Sequence, residues 1–265
     1  MTERWTCPDH GEYGADRFSV DWRCPDCERA ANAALQAYRG ARHRYAHWRD
    51  RSGIPPRYRS AISASIQPVS EGARLLRQAV ETITSNIAET INTGRGLVLM
   101  GPPGVGKTLA LAAMVNAACS TTLAVYASWP DTVAKVKAAI SSKSKDRDLI
   151  DTLIAAPLLA LDEIGVKALS DWEHNELFRL VDSRYAECRP TLIASNVMRD
   201  AWANAVGERI ADRLRECGPT LAITGESQRG RIPLSGPDAV QPPPRELVVR
   251  VHEHGRWKDV RHELD

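Results

Sequence analysis

The most constraining feature of the chain is the segment GPPGVGKT at residues 101–108, which lies between two apolar stretches. The run GLVLM before it is typical of a buried strand, and LALAAMVNAA after it is typical of a buried helix. A strand, such a loop and a helix in this order bind nucleotide phosphates, because the glycines let successive backbone amides turn inward around an anion. The sequence therefore predicts a nucleotide-binding fold.

The residue types of this loop predict separate tasks. Lys107 is expected to bridge the β- and γ-phosphates, and the Thr108 hydroxyl is expected to bind Mg²⁺. The backbone of the remaining residues is expected to surround the phosphates; these are Gly101, Pro102, Pro103, Gly104, Val105 and Gly106.

A pair of carboxylates follows a second apolar run in LLALDEIG, residues 158–165. Asp162 is expected to hold Mg²⁺ through water, and Glu163 to polarise the attacking water. An Asp-Glu pair that caps the next helix is the commoner case in general. Because a phosphate-binding loop lies upstream, we favour the catalytic interpretation, and the second acid favours ATP hydrolysis over phosphorylation of a small molecule.

Five short apolar runs alternate with helical stretches between residues 57 and 231, which predicts an α/β domain with a mostly parallel sheet. They are GLVLM, LAVYA, LLALD, TLIAS and TLAIT. Before this domain, residues 28–50 predict a helix with a weak point at Gly40, ended by SGIPP. After it, a proline-rich linker leads to a tail whose alternation predicts a hairpin turning near residues 254–255. We therefore divide the chain into residues 1–50, 51–231 and 232–265.

Clustered cysteines in the first segment predict a metal site. Cys7 and His10 have the spacing C-x₂-H, and Cys24 and Cys27 have the spacing C-x₂-C. Three thiolates and one imidazole form a common tetrahedral Zn²⁺ set, and a segment this short gains from a metal the stability that it cannot gain from a core. Because all four positions are filled, the predicted zinc is structural.

Further polar residues follow the later strands. Asn196, after TLIAS, either touches the γ-phosphate or begins a turn, and the sequence favours neither. An arginine could act as a finger on the γ-phosphate of a neighbouring subunit. Spacing alone does not choose among the candidates, which are Arg209, Arg213, Arg215, Arg229 and Arg231.

Composition limits the function classes. The net charge is only +2, which argues against a protein that coats nucleic acid. No apolar run approaches the roughly 18–20 residues of a membrane span, and the first residues lack the apolar core of a signal peptide. We therefore expect a cytoplasmic protein that does not contact membranes.

Taken together, the motifs resemble those of the DnaC-type replicative helicase loaders, a branch of the AAA+ ATPases, and of the related IstB-type transposition helpers. The resemblance rests on RSGIPPRYR, GPPGVGKT, LDEIGV, RPTLIASN, GERIADRLR and ESQRGR. It implies a five-stranded parallel sheet in which the Asn196 strand lies between the phosphate-loop and Asp162 strands. It also implies that Asn196 is the sensor-one residue, that Arg213 is the best finger candidate with Arg209 second, and that Arg229 is the sensor-two arginine.

The resemblance further implies ATP and Mg²⁺ as ligands, an ATP-dependent homo-oligomer, single-stranded DNA and a hexameric replicative helicase as partners. The zinc segment would dock on the helicase, which favours a loader. Positions that match DNA-contacting segments of such loaders are Lys135, Lys137, Ser170 and Trp172. A transposition helper that binds duplex DNA and an ATP-binding scaffold without a catalytic switch remain alternatives.

Overall fold

A computed structural model of the chain describes residues 3–15, 23–142, 148–229, 246–253 and 256–263. They fall into two compact units, one within residues 1–46 and 241–265 and the other within residues 47–240. The helices are α1 (Pro25–Arg51), α2 (Glu71–Ser85), α3 (Ile87–Thr93), α4 (Lys107–Ala118), α5 (Trp129–Ser142), α6 (Leu149–Ala155), α7 (Asp171–Ala186), α8 (Arg199–Val206) and α9 (Glu208–Cys217). The strands are β1 (Glu3–Cys7), β2 (Gly11–Ala15), β3 (Leu97–Met100), β4 (Ala124–Ser128), β5 (Leu158–Ile164), β6 (Thr191–Ser195), β7 (Thr220–Ala222), β8 (Glu246–Glu253) and β9 (Arg256–Glu263).

The larger unit is built around a parallel sheet of five strands in the order β4–β5–β6–β3–β7. Every residue of β3 and of β6 is buried. Strands that are buried along their whole length are typical of parallel sheets with helices on both faces. The predicted α/β fold, with five parallel strands flanked by helices, is confirmed. Strand β6 lies between β3 and β5, as the resemblance implied.

The register of the sheet determines which side chains meet. Met100 at the end of β3 pairs with Ser195 at the end of β6, and Ser128 at the end of β4 pairs with Asp162. The carboxyl ends of these strands therefore share one edge of the sheet, where ligands of open α/β sheets bind. The glycine-rich loop, the two carboxylates and Asn196 all follow at this edge.

Helix α1 is longer than the sequence predicted, and it continues through Gly40 without a break. A glycine inside a helix costs only about 1 kcal/mol relative to alanine, and the alanine, leucine and arginine residues around it favour helix. The helix ends at Arg51, where the Ser52 hydroxyl donates to the Arg49 carbonyl at 2.7 Å and Gly53 adopts a φ of +73°. None of the helices in the described part of the chain is long and apolar enough to cross a bilayer.

Two hairpins and α1 as far as Ala46 build the smaller unit. Strand β1 pairs antiparallel with β2, and β8 pairs antiparallel with β9, with Glu253 opposite Arg256. The predicted turn at residues 254–255 lies outside the described residues, and the strands on either side of it pair as a hairpin requires.

The carboxyl-terminal hairpin shares a small core with the amino-terminal cysteines. Val251 of β8 is only 2% exposed in this core, and Val260 of β9 packs against it. The other buried members are Cys7, Tyr13, Cys24, Cys27 and Ala31. The sequence-based division kept residues 232–265 as a separate tail, whereas burial of Val251 groups the strands of that tail with the cysteine segment.

Candidate functional site

The phosphate-binding loop connects β3 to α4, and its glycines adopt conformations that other residues rarely reach. Gly104 has a φ of +90°, and a Cβ atom there would lie 2.1 Å from the Ser227 hydroxyl oxygen. Gly106 has a φ of +103° and directly precedes the first turn of α4. The loop therefore curls back over the helix N-terminus, whose free amides and positive dipole end attract an anion.

Lys107 holds its ammonium group inside this loop. Its side chain is only 6% exposed, and Nζ donates to the carbonyl oxygens of Gly101 at 2.7 Å and Pro102 at 2.9 Å. Burial lowers the pKa of Lys107 to about 8. The Asp162 carboxylate acts in the opposite direction and raises the pKa, whereas the positive charge of Arg229 lowers it further by a smaller amount. The ammonium group is thus poorly solvated and ready to exchange carbonyl partners for phosphate oxygens.

Asp162, at 4% exposure, is held by three donors. The Thr108 hydroxyl donates to Oδ2 at 2.7 Å, and the Tyr126 hydroxyl donates to the same oxygen at 2.8 Å. The backbone amide of Glu163 donates to Oδ1 at 2.8 Å. A threonine hydroxyl beside a buried carboxylate offers the oxygen ligands that Mg²⁺ prefers, so these residues fit the ion.

Glu163 lies on the open side of the same edge. It is exposed and adopts a φ of +63°, which is a strained conformation for a residue with a Cβ atom. The Ser128 hydroxyl donates to its Oε2 at 3.0 Å. The β5–β6 register shifts between Leu161 and Ile164, which turns Glu163 out of the sheet and toward solvent.

One open pocket brings most of the predicted nucleotide-site residues together. Asn196 and Arg229 line it beside the loop and the carboxylates. The segment that carries Arg229 is tied to the loop, because the Gln228 amide donates to the Gly104 carbonyl at 2.9 Å. The lining residues already predicted are Pro103, Gly104, Val105, Gly106, Lys107, Thr108, Asp162, Glu163, Asn196 and Arg229.

The far wall of this pocket comes from residues that the sequence analysis did not assign to a site. It is formed by Arg57, Tyr58, Ile66 and Gln67, from the segment between α1 and α2. The Asn116 amide on α4 holds this segment by donating to the carbonyls of Tyr58 at 3.3 Å and Ala61 at 3.0 Å. The motif RSGIPPRYR, which contains Arg57 and Tyr58, could have indicated this wall. A segment that is held next to a phosphate loop is suited to contact the rest of the nucleotide.

The three arginines on α9, which are Arg209, Arg213 and Arg215, do not line the pocket. Arg213 donates to Asp182 at 2.5 Å, and its guanidinium lies 5.0 Å from the Phe178 ring centre. Arg209, one turn earlier, is exposed, and within the described residues its guanidinium makes no hydrogen bond or ion pair. A side chain that reaches a neighbouring subunit must be free to leave its own surface, and Arg209 meets that condition better than Arg213.

The positions that match DNA-contacting segments have contacts within the chain. Lys137 donates to Glu173 at 3.0 Å and lies 5.4 Å from the Trp172 ring centre. The Ser170 hydroxyl caps α7 by accepting from the Glu173 amide, and Trp172 packs against the main core. Lys135 is exposed on α5. Ser170 and Trp172 therefore both have structural tasks within the chain.

The predicted metal ligands converge in the smaller unit. The ligand atoms of Cys7, His10, Cys24 and Cys27 all lie within 4.8 Å of one another. Cys7 and Cys27 sulfurs are 3.6 Å apart, and His10 Nδ1 lies 3.3–3.7 Å from the three sulfurs. Tetrahedral Zn²⁺ with ligand bonds of about 2.0–2.3 Å requires separations of this size, so the four residues could bind zinc.

The Cys7 thiol is shifted toward the ionised form that metals bind. Burial by itself raises the pKa of Cys7, but hydrogen bonds with the Asp9 backbone, the His10 side chain and its backbone, and Cys27 outweigh it and lower the pKa to about 7. Zinc requires a deprotonated thiolate, so this shift lowers the cost of proton release on metal binding.

The fold and the nucleotide pocket define a class of protein. A phosphate loop after β3, paired carboxylates at the end of β5 and a polar residue after the intervening strand β6 are the parts of an ATP-binding protein of the AAA+ type. A model of the family described as IstB-like ATP binding protein matches residues 74–234, and the chain belongs to that family.

Relatives carry the same core. The replicative helicase loader DnaC of Escherichia coli (strain K12) is 30% identical over 194 residues, which cover 69% of this chain and 75% of the loader. The ATP-binding protein of insertion sequence IS21 from Pseudomonas aeruginosa is 32% identical over 145 residues, covering 52% of this chain and 54% of that protein. The crystal structure of the DnaC helicase loader superposes with a TM-score of 0.57 at 24% identity, covering 63% of this chain and 99% of the other. The protein is therefore similar both to a replicative helicase loader and to an ATP-binding protein of an insertion sequence.

Proposed function

We propose that this protein is an ATP-dependent loader that binds a hexameric replicative DNA helicase and helps to place it on single-stranded DNA when replication initiates. ATP binding and hydrolysis would act as the assembly switch. The observation that carries the proposal is the single pocket in which the phosphate loop, the buried pair Thr108–Asp162 and the exposed Glu163 meet. A loader of this kind works in the cytoplasm.

The residues of the pocket divide the work of ATP hydrolysis. Lys107 neutralises the β- and γ-phosphates, and Thr108 with Asp162 holds Mg²⁺, which when bound neutralises charge on the phosphates. Glu163 orients and polarises the attacking water, and Asn196 senses the γ-phosphate. Arg229, at the rim, adds positive charge next to Lys107.

Hydrolysis in an oligomer would need an arginine from a neighbouring subunit. The family resemblance favoured Arg213 over Arg209 for this finger. We now propose Arg209, because the Arg213 guanidinium pairs with Asp182 and stacks on Phe178 in its own subunit. The two side chains lie one turn apart on the same helix, so both variants can be compared in one assay.

The smaller unit, which contains the four predicted zinc ligands, would provide the helicase-docking surface. Zn²⁺ on Cys7, His10, Cys24 and Cys27 would hold this unit together, since its apolar core is small. The presence of a metal-stabilised unit and an ATPase core in one chain supports a loader over a transposition helper.

The alternative is an IstB-like helper ATPase that binds DNA and stimulates a transposase. The relation to the IS21 protein supports it. Such a protein would assemble on duplex DNA with ATP and would ignore the helicase, so filaments on duplex DNA in electron micrographs would favour this alternative.

The Glu163→Gln variant tests the switch itself. It keeps the size of the side chain and one acceptor oxygen but removes the charge that polarises water. We expect the variant to bind ATP normally, to lose hydrolysis and to accumulate as an ATP-bound oligomer in size-exclusion chromatography. An ATP-binding scaffold would elute identically in both forms, and that result would reject the proposed switch.

A further inference from the structure

Tyr126, on β4, is a buried tyrosine that contacts the nucleotide site without lining it. It is 7% exposed, and its hydroxyl donates to Asp162 Oδ2 at 2.8 Å. A tyrosine hydroxyl carries its proton at neutral pH, so it acts as a donor to the carboxylate.

The backbone of Tyr126 is fixed on both sides. On one side it pairs with Ala160 of β5. On the other side β4 has no neighbouring strand in the described sheet, of which it forms one edge, and the Tyr126 amide donates to the Ser52 carbonyl at 2.6 Å. Gly53 packs so closely that a Cβ atom would lie 2.5 Å from the Tyr126 carbonyl oxygen. The backbone that carries the ring is thus anchored by structure outside the nucleotide pocket.

The hydroxyls of Thr108 and Tyr126 both donate to Oδ2 of Asp162, but only the Thr108 hydroxyl is also expected to bind Mg²⁺. Thr108 donates to Oδ2 at 2.7 Å, and it is also the hydroxyl of the loop that offers its oxygen to Mg²⁺. Tyr126 has no such second task, because it does not line the pocket. Its hydrogen bond can therefore hold Asp162 in both the free and the bound state.

We propose that Tyr126 is a positioning residue that orients Asp162 for magnesium, so that the chain binds the Mg²⁺ complex of a nucleotide more tightly than the metal-free nucleotide. This inference rests on the nucleotide site of the proposed function and adds a residue outside the loop and the carboxylate pair. Groups that orient metal-binding carboxylates typically change metal affinity 10–100-fold when they are removed.

The test compares the full-length chain with its Tyr126→Phe variant, which deletes one oxygen and keeps the ring. Binding of a fluorescent ATP analogue is measured by titration with excess EDTA and then at rising Mg²⁺ concentration. We expect the half-saturating Mg²⁺ concentration to rise about tenfold, equivalent to about 1.4 kcal/mol, with affinity in EDTA unchanged. The matched control is Tyr185→Phe, which deletes a hydroxyl that donates to Glu216 at 2.8 Å outside the pocket.

Three outcomes of these titrations would overturn the role of Tyr126. An unchanged Mg²⁺ titration in Tyr126→Phe would overturn the inference and leave the nucleotide site intact. Equal weakening in EDTA and in Mg²⁺ would also overturn it, because the hydroxyl would then serve the fold rather than the metal ligand. Failure of the unaltered protein to bind the analogue would reject the proposed function together with this inference.

Discussion

The buried ammonium group of Lys107 predicts a specific pH dependence of nucleotide binding. Its pKa of about 8 arises because burial disfavours the charged form. Only the charged form attracts phosphate, and a bound phosphate in turn favours that form, which raises the pKa of Lys107 in the complex. Nucleotide binding above pH 8 must therefore take up a proton, and affinity must fall as the pH rises.

The magnitude follows from the pKa of the free protein. At pH 7 about nine in ten Lys107 side chains carry the charge, whereas at pH 9 only about one in ten does. The apparent dissociation constant should rise about tenfold between these values, which corresponds to about 1.4 kcal/mol. An unperturbed lysine, with a pKa of about 10.4, would change affinity by only a few per cent over this interval.

Fluorescence titration with an ATP analogue at pH 7, 8 and 9, in excess EDTA, measures this effect. Lys107→Arg is the matched control, because the guanidinium stays charged throughout and should give a weaker but flat affinity. Equal affinity of the unaltered protein at pH 7 and pH 9 would refute the reasoning. A fall of the same size in Lys107→Arg would assign the effect to another group.

Three further predictions follow from other contacts. Arg209→Ala should lower ATP hydrolysis by the oligomer at least tenfold and leave the melting temperature unchanged. Arg213→Ala should instead lower the melting temperature, because it removes the contacts with Asp182 and Phe178. The opposite pattern would assign the finger to Arg213. Metal analysis should find one zinc per chain. Cys24→Ser should lose the zinc, and the β8–β9 amides should then lose their protection from hydrogen exchange, because both hairpins share one core. Full protection in the variant would contradict a shared metal-stabilised core. Gly207→Ala should lower the free energy of unfolding by about 2 kcal/mol or more. The φ of Gly207 is +90°, and the new Cβ atom would lie 2.4 Å from an imidazole nitrogen on α7. A denaturant titration that matches the unaltered protein would contradict this.

Much of the core could be predicted because its signals are local in sequence. The run LVLM followed by GPPGVGKT fixes a strand, a loop and a helix within a dozen or so residues. Asp162 likewise ends an apolar run, and parallel pairing then brings it to the edge where the loop lies. Paired C-x₂-H and C-x₂-C spacings predicted the four ligands that converge in the smaller unit.

What could not be predicted depends on contacts between residues far apart in sequence. Tyr126 and Asp162 lie on neighbouring strands, and only the register of β4 on β5 brings them together. Nothing near Arg213 in the sequence indicates its pairing with Asp182. The burial of Val251 among amino-terminal cysteines joins the two ends of the chain, which no local pattern can indicate.

The central claim is that ATP governs the association of this protein with a replicative helicase. Size-exclusion chromatography with light scattering, on the chain mixed with the replicative helicase of its source, tests this most directly when run with and without ATP. The account predicts a complex that co-elutes in a nucleotide-dependent manner. Separate elution of the two proteins under both conditions would contradict it.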